Sequence, residues 1–109
     1  MSKISSFEEM EVWQRSRKLA HAIFEFTQHE KFSRDFSLKD QINRAMGSVM
    51  DNIAEGYERQ GNKELIHFLS ISKGSAGEVR SQLYRAKDRE YLSQIDFDKL
   101  KKEVEESVA

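Results

Sequence analysis

The sequence predicts an all-α protein: a single domain (1–109) folded as an antiparallel up-down-up-down four-helix bundle. Three observations carry this. The chain has no proline and only five glycines, so little in it interrupts a helix. Apolar residues recur at helical spacing along nearly the whole length, and no alternating strand pattern occurs. The breaks between periodic segments are short, which makes successive helices antiparallel neighbours. At 109 residues with 34% charged side chains, the chain is one domain with a lean core. Such a chain also suits a subunit that borrows burial from neighbouring copies.

Each element has its own signal. Ser6 followed by Glu9 is a capping-box pattern and opens a first helix (7–29). Met10, Trp13, Ala20 and Ile23 form one apolar row, and Val12, Leu19 and Phe26 a second, a stripe wider than one neighbour requires. The connection EKFSRDFS is polar apart from Phe32 and Phe36, which read as buried. A second helix (37–59) takes Ser37 as N-cap and carries Leu38, Ile42, Ala45, Met46, Val49, Ile53 and Tyr57 on one face. Gly61 is expected as a left-handed C-cap and Asn62 as the next N-cap. The third helix (62–88) aligns Leu65, Phe68, Leu69, Ser72, Ala76, Val79, Leu83 and Ala86; the last (96–108) aligns Phe97, Leu100, Val104 and Val108.

Composition excludes several chemistries. Without cysteine there is no disulfide, thiolate metal site or cysteine nucleophile. No run approaches the roughly 18 apolar residues of a membrane span, and Met1–Phe7 lacks the apolar core of a signal peptide. The expectation is therefore a cytoplasmic protein with no membrane contact. Glu64 and His67 form one Glu-x-x-His pair, but a di-iron bundle needs a second. Lys18 and Phe26 stand three residues before His21 and His29, so no metal or other cofactor is expected. Ser48, Ser72 and Ser75 lie in helices with no histidine placed as base, and the Gly74–Gly77 run GSAG sits inside helical periodicity. No catalytic residue emerges, and the chain reads as no enzyme.

Two polar features remain. In DNIAEGYERQGNKELIHFL, Asn52, Glu55, Gly56 and Arg59 fall at i, i+3, i+4 and i+7, one face of a helix. Ser48 continues that face, and Glu64, His67, Ile71, Gly74, Ser75 and Glu78 form a row on the third helix. The pattern reads as a polar seam at a helix–helix or subunit boundary, with Arg59 reaching Glu55 and Glu78 reaching Arg44 or another cation. Interior glycines cost about 0.5–1 kcal/mol each. Close approach of the second helix to Gly74–Gly77 would offset that cost. Trp13 is assigned to the same class of interface. The second feature is charge: net charge is −1, yet 73–89 holds Lys73, Arg80, Arg85, Lys87 and Arg89 against Glu78 and Asp88. Arg80, Arg85, Lys87 and Arg89 are candidate phosphate contacts, with Tyr84 and Tyr91 as stacking partners. The tail beyond Lys102 is acidic.

The segments FEEMEVWQRSRKLAHAIFEFT and FSLKDQINRAMGSVMDNIAEGYERQGNKELIHFLSISKGSAGEVRSQL resemble the four-helix bundle family of 23S ribosomal RNA intervening-sequence proteins, once labelled an S23 ribosomal protein. The likeness spans about Phe7 to Leu92. Its marks are Asn52 to Gly56, Arg59, and Gly74, Ser75 and Glu78, with Val12–Gln14 and the Gln41, Ile42, Arg44, Ala45 stretch beside them. The family is similar in turn to the accessory protein of diversity-generating retroelements, which binds nucleic acid through a positive surface and also binds a reverse transcriptase. The resemblance implies a bacterial protein, a left-turning bundle assembled as a homopentamer open at its centre, and RNA binding by a basic surface. Two departures stand out. Family members commonly carry prolines where this chain has Ser33–Arg34 and Met50–Asp51, so the second helix is expected to run unkinked; and strong nucleic-acid binders in the group are more basic. The functional expectation is an oligomeric RNA-associated accessory protein. The alternative is a protein-interaction scaffold that binds no nucleic acid, and a third reading is a metal or enzyme bundle using Glu55, Glu64, His67 and Glu78.

Overall fold

In the computed structural model, which describes residues 4–108, the chain is all-helical. A 3₁₀ turn (Phe7–Glu9) precedes α1 (Glu11–Thr27), a short α2 (Glu30–Arg34), α3 (Phe36–Glu58), α4 (Asn62–Asp88) and α5 (Gln94–Ser107). The leaderless reading of the first residues bears partly on 1–3, and the domain limit on 109; both lie outside the described residues.

The four long helices form an antiparallel up-down-up-down bundle. Along the α3–α4 hairpin the partners advance in opposite directions: Gln41 meets Arg85, Ser48 meets Ser75, and Gly56 meets Phe68. Between α1 and α3, Asn43 donates to Thr27 Oγ1 at 3.2 Å while Tyr57 donates to the Ile4 carbonyl at 2.8 Å, again in opposed order. The core runs down the middle through Leu19, Ile23, Phe32, Leu38, Ile42, Met46, Val49, Ile53, Val79, Leu83, Leu100 and Val104, all buried. The periodic stripes therefore point inward as their spacing requires. Buried Ser16, Thr27 and Ser107 each donate to a carbonyl of their own helix, which satisfies the hydroxyl locally.

Several local expectations are corrected. The first helix is not continuous from 7 to 29, because Met10 is extended (φ −72°, ψ 126°) and separates the 3₁₀ turn from α1. Ser6 makes no side-chain cap. The Ser5 amide and hydroxyl donate to Glu9 instead, at 3.0 and 2.8 Å, and hold its carboxyl below the usual range. Phe32 is buried, but Phe36 is 77% exposed, because it occupies the first position of α3, on the solvent side. The N-cap of α3 is Asp35, which accepts from the Leu38 amide at 3.2 Å, and not Ser37. α5 begins earlier than expected, at Gln94, where Ser93 caps the Asp96 amide.

Gly61 is not left-handed. It is extended (φ −142°) and is the N-cap residue of α4, while Gln60 takes the left-handed conformation (φ 57°). Glu30 and Glu90 are left-handed as well, so each of these junctions turns on a residue with a Cβ. At Glu90 the backbone makes up for the strain: the Tyr91 amide reaches back to Ala86 at 2.8 Å and that of Glu90 to Lys87 at 2.9 Å. This is the double closure of a Schellman end.

Candidate functional site

The outer face of the α3–α4 hairpin carries the polar seam. Asn52 Nδ2 donates to the Ser48 carbonyl and hydroxyl at 2.8 and 3.0 Å, and Ser48 Oγ lies 2.8 Å from Ser75 Oγ across the helix boundary. Ser72 Oγ crosses the same boundary deeper down, donating to the Val49 carbonyl at 2.7 Å. Arg85 continues the seam with a 2.7 Å bond to Gln41. Arg59 meets Glu55 at 3.0 Å, as expected, and its guanidinium lies 5.2 Å from the Phe68 ring centre. Arg44 pairs with Asp40 at 2.9 Å and not with Glu78, because the i,i+4 partner on its own helix is within easier reach. Glu78 has no ion pair among the described residues.

The glycines separate into two kinds. A Cβ on Gly56 would lie 2.8 Å from Phe68 Cβ and 3.3 Å from Leu65 Cδ1, so this residue does allow close approach of two helices. Gly56 approaches the start of α4; the middle of α3 does meet the Gly74–Gly77 stretch, through Ser48 on Ser75, but not through its glycines. A Cβ on Gly47 or Gly74 would meet nothing within 4 Å, and one on Gly77 only the Arg80 guanidinium at 3.7 Å. Gly56 is buried toward α4, while Glu55 and Arg59 face solvent, so the four spaced residues divide between two environments. Trp13 lies away from the seam, on α1, edge-on to Phe7 at 5.1 Å.

A groove of about 320 Å³ opens along the seam, lined by Gln41, Arg44, Ser48, Ser75, Glu78 and Gln82. Gln82 is 8% exposed and its Oε1 has no hydrogen-bond partner. Sequence reasoning missed it. It stands four residues beyond Glu78 and seven beyond Ser75, so simple continuation of the α4 row would have reached it.

The four candidate phosphate contacts do not share one face. Arg80 and Lys87, seven residues apart, turn toward α5: Arg80 stands 4.0 Å from Glu105, and Lys87 Nζ is 5.1 Å from the Phe97 ring centre. Tyr84 lies between them, half exposed and edge-on to Phe97 at 4.9 Å. Arg85 and Arg89 turn toward α3. Arg89 pairs with Asp35 at 2.7 Å, and Tyr91 donates to the same carboxylate oxygen at 2.9 Å. Tyr91 also stacks on Phe32 at 5.2 Å, so its ring and hydroxyl are both committed within the chain. The Leu38 amide, then Tyr91 and Arg89, hold the Asp35 carboxyl below its ordinary value against the opposing effect of burial; the same bond raises Tyr91. Asp35 went unnoticed in the sequence, although its place three residues before Leu38 is an N-cap spacing.

Among the described residues no group of three or more His, Asp or Glu is placed to hold a metal, and no helix is long and apolar enough to cross a membrane. The polar groups of the seam lie along helix faces and border an open groove. Fold and site together define a helical-bundle protein whose distinguishing chemistry lies on its outer faces.

The chain belongs to the 23S rRNA-intervening sequence protein family, whose model matches residues 8–109. The fold is shared with a solved protein of unknown function from the S23 ribosomal protein family of Bacteroides thetaiotaomicron VPI-5482. That structure has a TM-score of 0.79 at 24% identity, over 89% of this chain and 91% of the other. No curated protein matches the chain.

Proposed function

We propose that this protein is a self-assembling, RNA-associated accessory module, in which the α3–α4 seam joins copies and cations of α4 contact phosphate. It is neither an enzyme nor a cofactor or membrane protein, and it works in the cytoplasm. The observation that carries the assembly half is the unfinished state of the seam. Gly74 sits in a helix interior with open space where a side chain would be, and on the same helix the exposed Glu78 has no ion pair and the buried Gln82 Oε1 no hydrogen-bond partner among the described residues. A helix of a second copy laid against this face supplies the close contact that offsets the cost of that glycine and donors for the two oxygens. The homopentamer of the resembling family is the assembly expected.

Membership in an rRNA intervening-sequence family supports the nucleic-acid half. Arg80 and Lys87, with Tyr84 between them, form the more available pair. Arg80 meets Glu105 only at 4.0 Å, with both side chains nearly half exposed, an ion pair weak enough for phosphate to displace. Arg89 is held more firmly by Asp35. Repetition around a ring multiplies such weak contacts.

The test is light scattering together with fluorescence anisotropy of a labelled ribosomal RNA fragment across a salt series. A multimer that Gly74→Leu dissociates, with RNA binding that falls with salt and weakens in Arg80→Glu/Lys87→Glu, is the expected result. A monomeric wild type overturns the assembly. A multimer indifferent to RNA at low salt overturns the nucleic-acid half and leaves a protein scaffold.

A further inference from the structure

The outward face of α1 carries charges that neither the bundle nor the seam uses, beside Trp13, which packs partly against the core and edge-on to Phe7. From Val12 to Phe24 the chain carries Arg15, Arg17 and Lys18 and no acid. All three cations are exposed, and among the described residues none has a carboxylate within 4.0 Å. Three of the four candidate cations of α4 differ from these, since Arg80, Arg85 and Arg89 each meet a carboxylate or amide oxygen.

Aromatic rings flank the free cations. Trp13, Arg17, His21 and Phe24 follow one another at i, i+4, i+8 and i+11, a single stripe on a helix. Trp13 is only partly buried, Phe24 is 47% exposed, and the Arg17 guanidinium lies 5.8 Å from the Trp13 ring centre. Trp13, Gln14, Arg17, Lys18 and His21 help to line a cavity of about 660 Å³ open to solvent. The nearby acids are accounted for in part. His21 Nε2 lies 2.8 Å from Glu25; Glu8 borders the cavity with Arg17 and Lys18; Glu103 and Glu106 line a separate cleft with Arg15 and Lys18.

We infer that this face is a binding site for single-stranded nucleic acid, with bases stacking on Trp13 and Phe24 and phosphates meeting Arg17 and Lys18. Rings alternating with unpaired cations suit a polyanion whose base faces are exposed, and duplexes, whose bases are already stacked, offer only the phosphates. The two rings lie roughly 16 Å apart along the helix, with Arg17 and His21 between them. The inference rests on the nucleic-acid reading above but places contacts on α1, across the bundle from α4.

Trp13 is the only tryptophan, so its fluorescence reports on this site alone. Titration of the full chain at low salt with a dye-labelled oligouridylate, following dye anisotropy and tryptophan emission together, should show binding with quenching. Arg17→Gln/Lys18→Gln should reduce the slope of log affinity against log salt by about 1.4, at about 0.7 per lost single-strand phosphate contact. Phe24→Ala, at a position already solvent-facing, should weaken binding about fivefold or more. Far-UV circular dichroism checks that each variant is folded. Binding without quenching, abolished by Arg80→Glu/Lys87→Glu and untouched by the α1 variants, overturns the α1 site and leaves the nucleic-acid reading standing. Equal quenching by a duplex of the same length overturns the stacking. No binding by the wild type at low salt overturns both readings.

Discussion

Replacing Gly56 by alanine should destabilise the protein, although alanine is the better helix former. Its Cβ would come 2.8 Å from Phe68 Cβ, 3.3 Å from Leu65 Cδ1 and 3.4 Å from Leu65 Cα. Carbon atoms pack best at about 3.5–4.0 Å, so the first contact overlaps by roughly 0.7 Å or more. Phe68 Cβ is fixed to the backbone and cannot rotate away; relief requires α3 and α4 to move apart where they are closest. Overpacking of this kind costs about 1–3 kcal/mol, and removing a helix-interior glycine returns about 0.5–1 kcal/mol. The net expectation is a loss of roughly 1 kcal/mol, within a span of about 0–2.5 kcal/mol. Gly47→Ala is the internal control: its Cβ meets nothing within 4 Å, so the chain should gain about 0.5–1 kcal/mol. Urea unfolding followed by circular dichroism, at one protein concentration because assembly shifts apparent stability, measures both. If Gly56→Ala gains stability as Gly47→Ala does, the close-approach account of Gly56 is wrong.

Three further outcomes are expected. Asp35→Ala should cost about 1–3 kcal/mol at neutral pH, since it removes an N-cap, the Arg89 pair and the Tyr91 bond together. Because Asp35 is held below its ordinary 3.8, its contribution is fully present above that value and fades as pH falls through the depressed one; a wild-type-to-variant gap that does not shrink in acid contradicts this. A double-mutant cycle with Ser48→Ala and Ser75→Ala should give a coupling of about 0.5–1.5 kcal/mol, and zero coupling would show that the cross-helix hydroxyl bond contributes nothing. Gln82→Leu should stabilise the isolated chain by about 1 kcal/mol by removing a buried amide with an unpartnered oxygen, while lowering the mass seen by light scattering; loss of stability in the monomer would mean the amide is satisfied after all.

The helices were legible because each long one repeats its apolar residues at the helical period, and burial follows from that directly. Phe36 is exposed against expectation because apolarity alone does not say on which side of the first turn a residue falls. Gly61 is not the left-handed residue that its type suggests, because the left-handed position falls on Gln60 one step earlier. Asp35 and Gln82 were overlooked because single polar residues stand out only when a three-dimensional partner, or its absence, marks them.

The polar seam was legible as a row of spaced residues on two helices, and its Ser48–Ser75 crossing could be anticipated from the antiparallel pairing. Arg80, Arg85, Lys87 and Arg89 stand together when charges are counted along the chain, but a count cannot tell that Arg80 and Lys87 turn to α5 while Arg85 and Arg89 turn to α3. Nor can it tell that Asp35, 54 residues before Arg89 in sequence, takes up that cation, or that among the described residues Arg17 and Lys18 have no carboxylate within 4.0 Å.

Helical periodicity, the absence of proline and the short connections were enough, by themselves, to determine the all-α class and the inward face of each helix, since both depend on contacts a few residues apart. Which glycine admits a neighbouring helix, which cations stay unpaired and which buried oxygen lacks a donor were decided only by the tertiary structure. Each depends on atoms brought together from distant parts of the chain, and the order of residues along one helix does not encode that distance.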